Sequence, residues 1–219
     1  MNLKGLKINF LGDSITQGSG ASKLYLCYVA QFAEISGAIC RNYGIGGTRI
    51  AAQKVSSSCA YHDLDFCYRY RFMDRDADVV AVFGGTNDYG HGDAPVGSFE
   101  DRTPETFYGA LHYLYSGLKE MYPKATIFVM LPLHREGEDN DMGEYSRKGK
   151  VYGDLKTYIK AICEVAEYYK LAVLDLYNES GMNTDTEENS KKHFDDGLHP
   201  NDLGHRIVAE KVVEFIEKL

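Results

Sequence analysis

Five short apolar runs, most of them closed by glycine or proline, constrain this chain more than any other feature. The first starts at Ile8 and stops at Gly12; the others span 38–43, 78–83, 125–131 and 171–176. Between them lie helical patterns. One runs over 24–36, with Leu24, Tyr28, Phe32 and Ile35 on one face and Gly37 as its stop. Another covers 104–121, opened by Thr103 as N-cap with Pro104 at the first helical position. A third ends near residue 169, and a last one starts at Pro200, with Leu203, Ile207, Val212, Phe215 and Leu219 facing the core. The stretch 51–77 is less regular. Ser56-Ser57-Ser58 interrupts it, and the mixture of Tyr61, Phe66, Tyr68, Tyr70 and Phe72 with charged residues reads as a helix with its rings packed inward. Apolar runs separated by helices long enough to cross over make a parallel sheet buried on both faces. The expected fold is α/β: a flavodoxin-like three-layer α/β/α sandwich with a five-stranded parallel sheet, in one domain over residues 1–219.

Charge and cysteine usage narrow the partners. The net charge is −8, from 32 acidic and 24 basic residues, and no basic face is evident. Nucleic acid and anionic lipid both require one, so neither is an expected partner. The five cysteines (Cys27, Cys40, Cys59, Cys67 and Cys163) are odd in number and contain no Cys-x-x-Cys pair, which suggests neither a disulfide framework nor a zinc site. The first residues lead straight into the first strand, and no apolar run approaches the roughly 20 residues that span a bilayer. A reduced, cytoplasmic protein is expected. The polar stretches 135–150 and 178–195 are long for connections in a compact domain, and such loops are usually functional or mobile.

In open α/β sheets, reactive groups gather beyond the carboxyl ends of the strands. Four segments lead there: Gly12-Asp13-Ser14-Ile15, the glycine cluster 44–47, Gly84-Gly85-Thr86-Asn87-Asp88, and Asp196-Gly197-Leu198-His199-Pro200. Taken singly, each has an ordinary explanation as a helix cap or a turn. Taken together they hold every part that acyl transfer needs. Ser14 can be the nucleophile and His199 its base. Asp196, three residues earlier, can orient the imidazole; Asp195 is a rival at a less suitable spacing. The backbone N–H of Ser14, that of Gly47 and the side-chain amide of Asn87 can receive a developing oxyanion. Gly46 competes with Gly47 for that role.

These four blocks, in this order and over nearly the whole chain, resemble those of the GDSL/SGNH hydrolase family. Asp-x-x-His-Pro and Gly-Thr-Asn-Asp carry most of the resemblance, whereas Gly-Asp-Ser alone is weak; Ile15 replaces the usual leucine. The resemblance implies a flavodoxin-like fold, Ser14 as nucleophile, Asp196 and His199 completing the triad, and Gly47 and Asn87 assisting the oxyanion. Other site types fit poorly. No serine lies in G-x-S-x-G, no strand is followed by G-x-G-x-x-G, and there is no Walker lysine. His193, Asp195, Asp196 and His199 lack zincin spacing, so neither metal nor cofactor is expected. Asp13 and His134 are candidates for substrate contact. The expected function is a serine ester hydrolase that removes a short acyl group from a polar alcohol, such as an acetylated saccharide, its partner being a small-molecule ester. A lysophospholipase or thioesterase, an acyltransferase and a non-catalytic glycan-binding module are the alternatives.

Overall fold

The computed structural model describes residues 1–141 and 152–219. Its strands are β1 (Lys7–Gly12), β2 (Ile39–Gly44), β3 (Val79–Phe83), β4 (Thr126–Met130) and β5 (Ala172–Leu174). All are parallel, in the order β2-β1-β3-β4-β5. The helices are α1 (Ser14–Gln17), α2 (Tyr28–Ser36), α3 (Phe66–Arg69), α4 (Thr86–Gly90) and α5 (Phe107–Met121), followed by α6 (Leu155–Tyr169), α7 (Leu176–Glu179), α8 (Glu187–His193) and α9 (Asp202–Lys218). This is the five-stranded α/β/α sandwich with flavodoxin-like strand order. The order reverses between β1 and β3, and a crevice opens at their carboxyl ends.

Side-chain alternation along the strands builds a core on each face. Ile8 and Phe10 of β1, Ala81 and Phe83 of β3, and Phe128 and Met130 of β4 pack with Tyr28 and Phe32 of α2 and Val208, Val212 and Ile216 of α9. On the other face, Leu11, Val80, Val82 and Val129 meet Leu111 and Leu114 of α5 and Ile162 and Val165 of α6. Asn9 is the polar exception within β1. It is fully buried and satisfied, donating to Asp74 O and Tyr122 Oη and accepting from Arg41.

Several local expectations give way to tertiary demands. The helix expected over 24–36 begins at Tyr28, after a 3₁₀ turn at Leu24–Leu26 that leaves Leu24 78% exposed. The turn's three-residue repeat breaks the 3.6-residue stripe, and Ile35 is exposed as well. The 104–121 helix begins at Phe107 rather than Pro104. Thr106, held by Asp101, caps it by accepting from Gly109 N–H, so Thr103 is not the cap. The aromatic stretch 61–72 is three short turns rather than one helix. Phe66 and Tyr70 point inward, but Tyr61, Tyr68 and Phe72 are exposed because Arg69 takes the inward position. Strand β5 ends early, since Asp175 caps α7 directly behind it. The polar segment 178–195 contains α8, and residues 142–150 of the other polar loop, 135–150, lie outside the described residues. Among the described residues, no helix is long and apolar enough to cross a membrane.

The last helix shows a different buried face from the expected one. His205, Val208, Ala209, Val212 and Ile216 are buried, Ile207 and Phe215 are partly so, and Leu203 and Leu219 are exposed. The true stripe passes through a histidine, which hydropathy alone would not choose. Ile216→Ala is expected to cost about 2–5 kcal/mol in urea unfolding, and Leu203→Ala no more than about 0.5. Equal losses would contradict this orientation of α9.

Candidate active site

Strand β1 delivers Ser14 to the crevice. Asp13 turns its carboxylate to accept from Ile15 N–H at 3.0 Å and caps α1, leaving Ser14 as the first helical residue. The loop before α9 delivers the other two side chains. It is closed by an isolated bridge between Phe194 and Pro200, by Asp195 N–H donating to His199 O, and by Asn201 N–H donating to His193 O. Within that loop, Asp196 Oδ1 accepts from the backbone N–H groups of Leu198 and His199 at 3.1 and 2.8 Å. Its Oδ2 lies 2.8 Å from His199 Nδ1. The Nε2 of the same ring lies 2.9 Å from Ser14 Oγ. A carboxylate can only accept, so Nδ1 carries the proton and Nε2 is left to accept from the serine hydroxyl. Asp195 is exposed and touches the ring through neither carboxylate oxygen. Burial pulls the Asp196 carboxyl upward, but the hydrogen bonds and charge of His199, with Leu198 N–H, hold it below its ordinary value.

Residues 185 positions apart stay in register through a seam between the α1–α2 connection and α9. Gly20 has a φ of +87°, and a side chain there would run into the backbone of His199 and Pro200. Ser22 bonds Asp202 through both its N–H and its hydroxyl, each at 2.7 Å. Buried His205 accepts from Tyr28 N–H through Nδ1 and donates to Ser19 O through Nε2. Burial lowers its pKa, which suits this neutral tautomer.

The remaining candidates lie on the loops that follow β2 and β3, which Asn87 joins through Thr48. Gly46 N–H is taken by Gln17 Oε1 at 2.7 Å, whereas neither Gly47 N–H nor Ser14 N–H has an acceptor among the described residues. Gly47, with a φ of +72°, lies against the His62 ring, leaving no room for a side chain. Asn87 is 4% exposed and donates one amide hydrogen to Thr48 O at 2.9 Å, which leaves the second free to donate. Asp88 accepts from Ile50 and Ala51 N–H, both at 2.9 Å, and so pins the loop that carries Gly47.

Two expectations change. Asp13 is 2% exposed and its carboxylate is committed to the α1 cap beside Ser14, which removes it as a candidate for substrate contact. His134 is paired with Glu138 at 2.8 Å and packs at a tilt against Tyr177, so its ring serves the base of the 135–141 loop. Sequence reasoning missed Arg69, Arg49, His91 and His205. The 87–91 spacing, one helical turn from Asn87, was the one readable signal among them. Among the described residues, no three His, Cys, Asp or Glu side chains are grouped to hold a metal ion.

An α/β/α sandwich with a serine, a histidine and an aspartate in line at its switch point defines a class of serine-hydrolase folds. The chain belongs to the GDSL-like Lipase/Acylhydrolase family, whose pattern matches residues 10–207. No curated protein matches it. A solved structure from Lactobacillus plantarum is 30% identical, over 98% of each chain, with a TM-score of 0.81. The lipase/acylhydrolase from Enterococcus faecalis is 19% identical over 97% of this chain and 96% of its own, with a TM-score of 0.63. An acetyl xylan esterase, AlAXEase, is 23% identical over 96% of this chain and 100% of its own, with a TM-score of 0.60.

Burial raises the Asp13 carboxyl from 3.8 to about 6, against the lowering pull of Ile15 N–H, His199 and Arg69. Between those values the folded protein holds a proton that the unfolded chain releases. Stability from this group is therefore full below about pH 4 and lost as pH rises through about 6, by up to about 3 kcal/mol. Urea unfolding of wild type and Asp13→Asn from pH 4 to 7.5 isolates the effect. The wild type should lose stability relative to the variant across that window; parallel curves would contradict the raised value.

Proposed function

We propose that the protein is a serine ester hydrolase working through an acyl-enzyme, with Ser14 as nucleophile, His199 as base and Asp196 as the group that orients it. The continuous hydrogen-bonded chain Ser14–His199–Asp196, at 2.9 and 2.8 Å, carries this reading. Ser14 Oγ attacks the ester carbonyl as its proton passes to His199 Nε2. Negative charge then forms on the carbonyl oxygen, where Ser14 N–H, Gly47 N–H and the Asn87 amide are available to donate. Collapse breaks the ester C–O bond, and Nε2 returns the proton to the leaving alcohol. Water, deprotonated by the same nitrogen, then attacks the acyl-serine and releases the acid. Asp196 stays ionised throughout, as its lowered pKa favours.

The surroundings favour a short acyl group on a polar alcohol. A cavity of about 550 Å3 beside the oxyanion loop is lined by Arg49, Gln53, Ser57, His62, His91 and Asp93 among others. Such a surface suits hydroxyl-rich groups better than an alkyl chain. An acetylated saccharide fits this description, and the acetyl xylan esterase shares the fold. The partner is then a small-molecule ester handled by one domain, and the five free cysteines suit a reducing compartment such as the cytoplasm.

Ser14→Ala should lower kcat for p-nitrophenyl acetate by about 10⁴-fold or more while leaving the thermal melt in place. Turnover retained in that variant would remove Ser14 from the mechanism. Across a series of p-nitrophenyl esters, acetate and butyrate should be fastest. A preference for octanoate or longer would overturn the short-acyl assignment and favour a lysophospholipase.

A further inference from the structure

The oxyanion amide is held by a relay that ends on a buried arginine. Asn87 gives one amide hydrogen to Thr48 O at 2.9 Å, so its Oδ1 must point the other way, where it meets His91 Nε2 at 3.2 Å. An amide oxygen can only accept, so His91 Nε2 carries the proton there. His91 Nδ1 must then accept, and Arg49 Nη1, which can only donate, lies 3.2 Å from it. The same Nη1 donates to Gly47 O at 3.3 Å, fixing the peptide next to the other backbone donor. Arg49 Nη2 is anchored on Asp63 Oδ1 at 3.0 Å and on Ser57 Oγ at 3.3 Å. The Arg49 side chain is 3% exposed and has little freedom to move. Each of these links pairs a donor with an acceptor, and the neutral His91 tautomer with its proton on Nε2 satisfies both of the links to its ring.

We infer that Arg49 and His91 are positioning residues for ester hydrolysis: Arg49 fixes the His91 tautomer, and His91 aims the free Asn87 hydrogen at the oxyanion. This inference rests on the catalytic reading of Ser14 and Asn87. Neither residue touches the reacting atoms. Arg49 acts on both donors, on Gly47 through its carbonyl and on Asn87 through the imidazole. A neutral histidine suits the link because it presents one donor and one acceptor on opposite sides of a rigid ring. Glutamine carries the same pair of functions on a flexible stem. Leucine has similar bulk and neither function.

The test is steady-state hydrolysis of p-nitrophenyl acetate by wild type, His91→Leu, His91→Gln, Asn87→Ala and the double variant His91→Leu/Asn87→Ala, each assayed below its melting transition. His91→Leu should lower kcat by about 10- to 100-fold, the scale of a misaimed oxyanion donor, with KM within about threefold. His91→Gln should recover most of that loss, which a packing role for the ring would not allow. In the Asn87→Ala background His91→Leu should add less than about twofold, because the residue it acts through is gone. Wild-type kcat in His91→Leu, no rescue by His91→Gln, or fully additive losses in the double variant would each overturn the relay. A fully active Ser14→Ala enzyme would sink the catalytic reading itself, whatever His91 does.

Discussion

A buried guanidinium holds the carboxyl end of this sheet together. Carbonyl groups at the carboxyl ends of parallel strands can take further donors, and here those of Gly12 and Tyr43 both turn to Arg69. Its Nη2 donates to Gly12 O at 2.5 Å and to Thr48 Oγ1 at 2.9 Å, Nη1 donates to Tyr43 O, and Nε donates to Leu64 O at 3.0 Å. One side chain thus joins the ends of β1 and β2, the loop that carries Gly47 and Thr48, and the turn before α3. Burial lowers its pKa to about 10, against the attraction of Asp13 and Asp65, so the cation persists at neutral pH. Removing a charge from water costs several kcal/mol, and hydrogen bonds of this number offset the cost. The guanidinium also lies over the Phe66 ring at 4.6 Å, which ties the polar knot to the apolar core.

From that knot the site is assembled by loops that brace one another. Gly12 leads into the Asp13 cap and Ser14, Thr48 leads into the pinned segment 49–51, and Asn87 reaches back to Thr48 O. The histidine arrives from the far end of the chain, on a loop that Asp196 closes with three hydrogen bonds. The Gly20, Ser22 and His205 contacts seal its position against the turn that carries Ser14. Such cross-bracing matters because oxyanion stabilisation depends on donors already aimed before charge develops. A loop free to move by an ångström would forfeit about 10²-fold in rate.

The sequence made the sheet legible because β1, β3 and β4 are buried on both faces, and continuous apolar runs have few other uses in a chain of this length. Ser14 was legible because it stands where β1 must stop, and Asp196 and His199 because they lie three residues apart just ahead of a proline-led helix. Helix faces were less readable. In α9 a histidine took a core position that hydropathy assigns to polar surface, and in the 61–72 stretch Arg69 displaced aromatic rings outward. Both residues are polar groups buried to satisfy backbone carbonyls or N–H groups brought near by tertiary folding. Periodicity registers apolar burial and is blind to that demand. Periodicity is likewise blind to the distant Gln17 side chain, which takes the Gly46 N–H. Asp13, a candidate for substrate contact, is instead the buried cap that a strand-to-helix junction also allows.

The central claim is that the Ser14 hydroxyl is made nucleophilic by the imidazole 2.9 Å away. Reaction with a fluorophosphonate probe, followed by mass spectrometry to locate the adduct, measures that property without any assumption about substrate. One phosphonyl group should appear on Ser14, and its rate of formation should fall by at least about 10²-fold in His199→Ala. An adduct on another residue, or labelling of Ser14 at an undiminished rate without His199, would contradict the account.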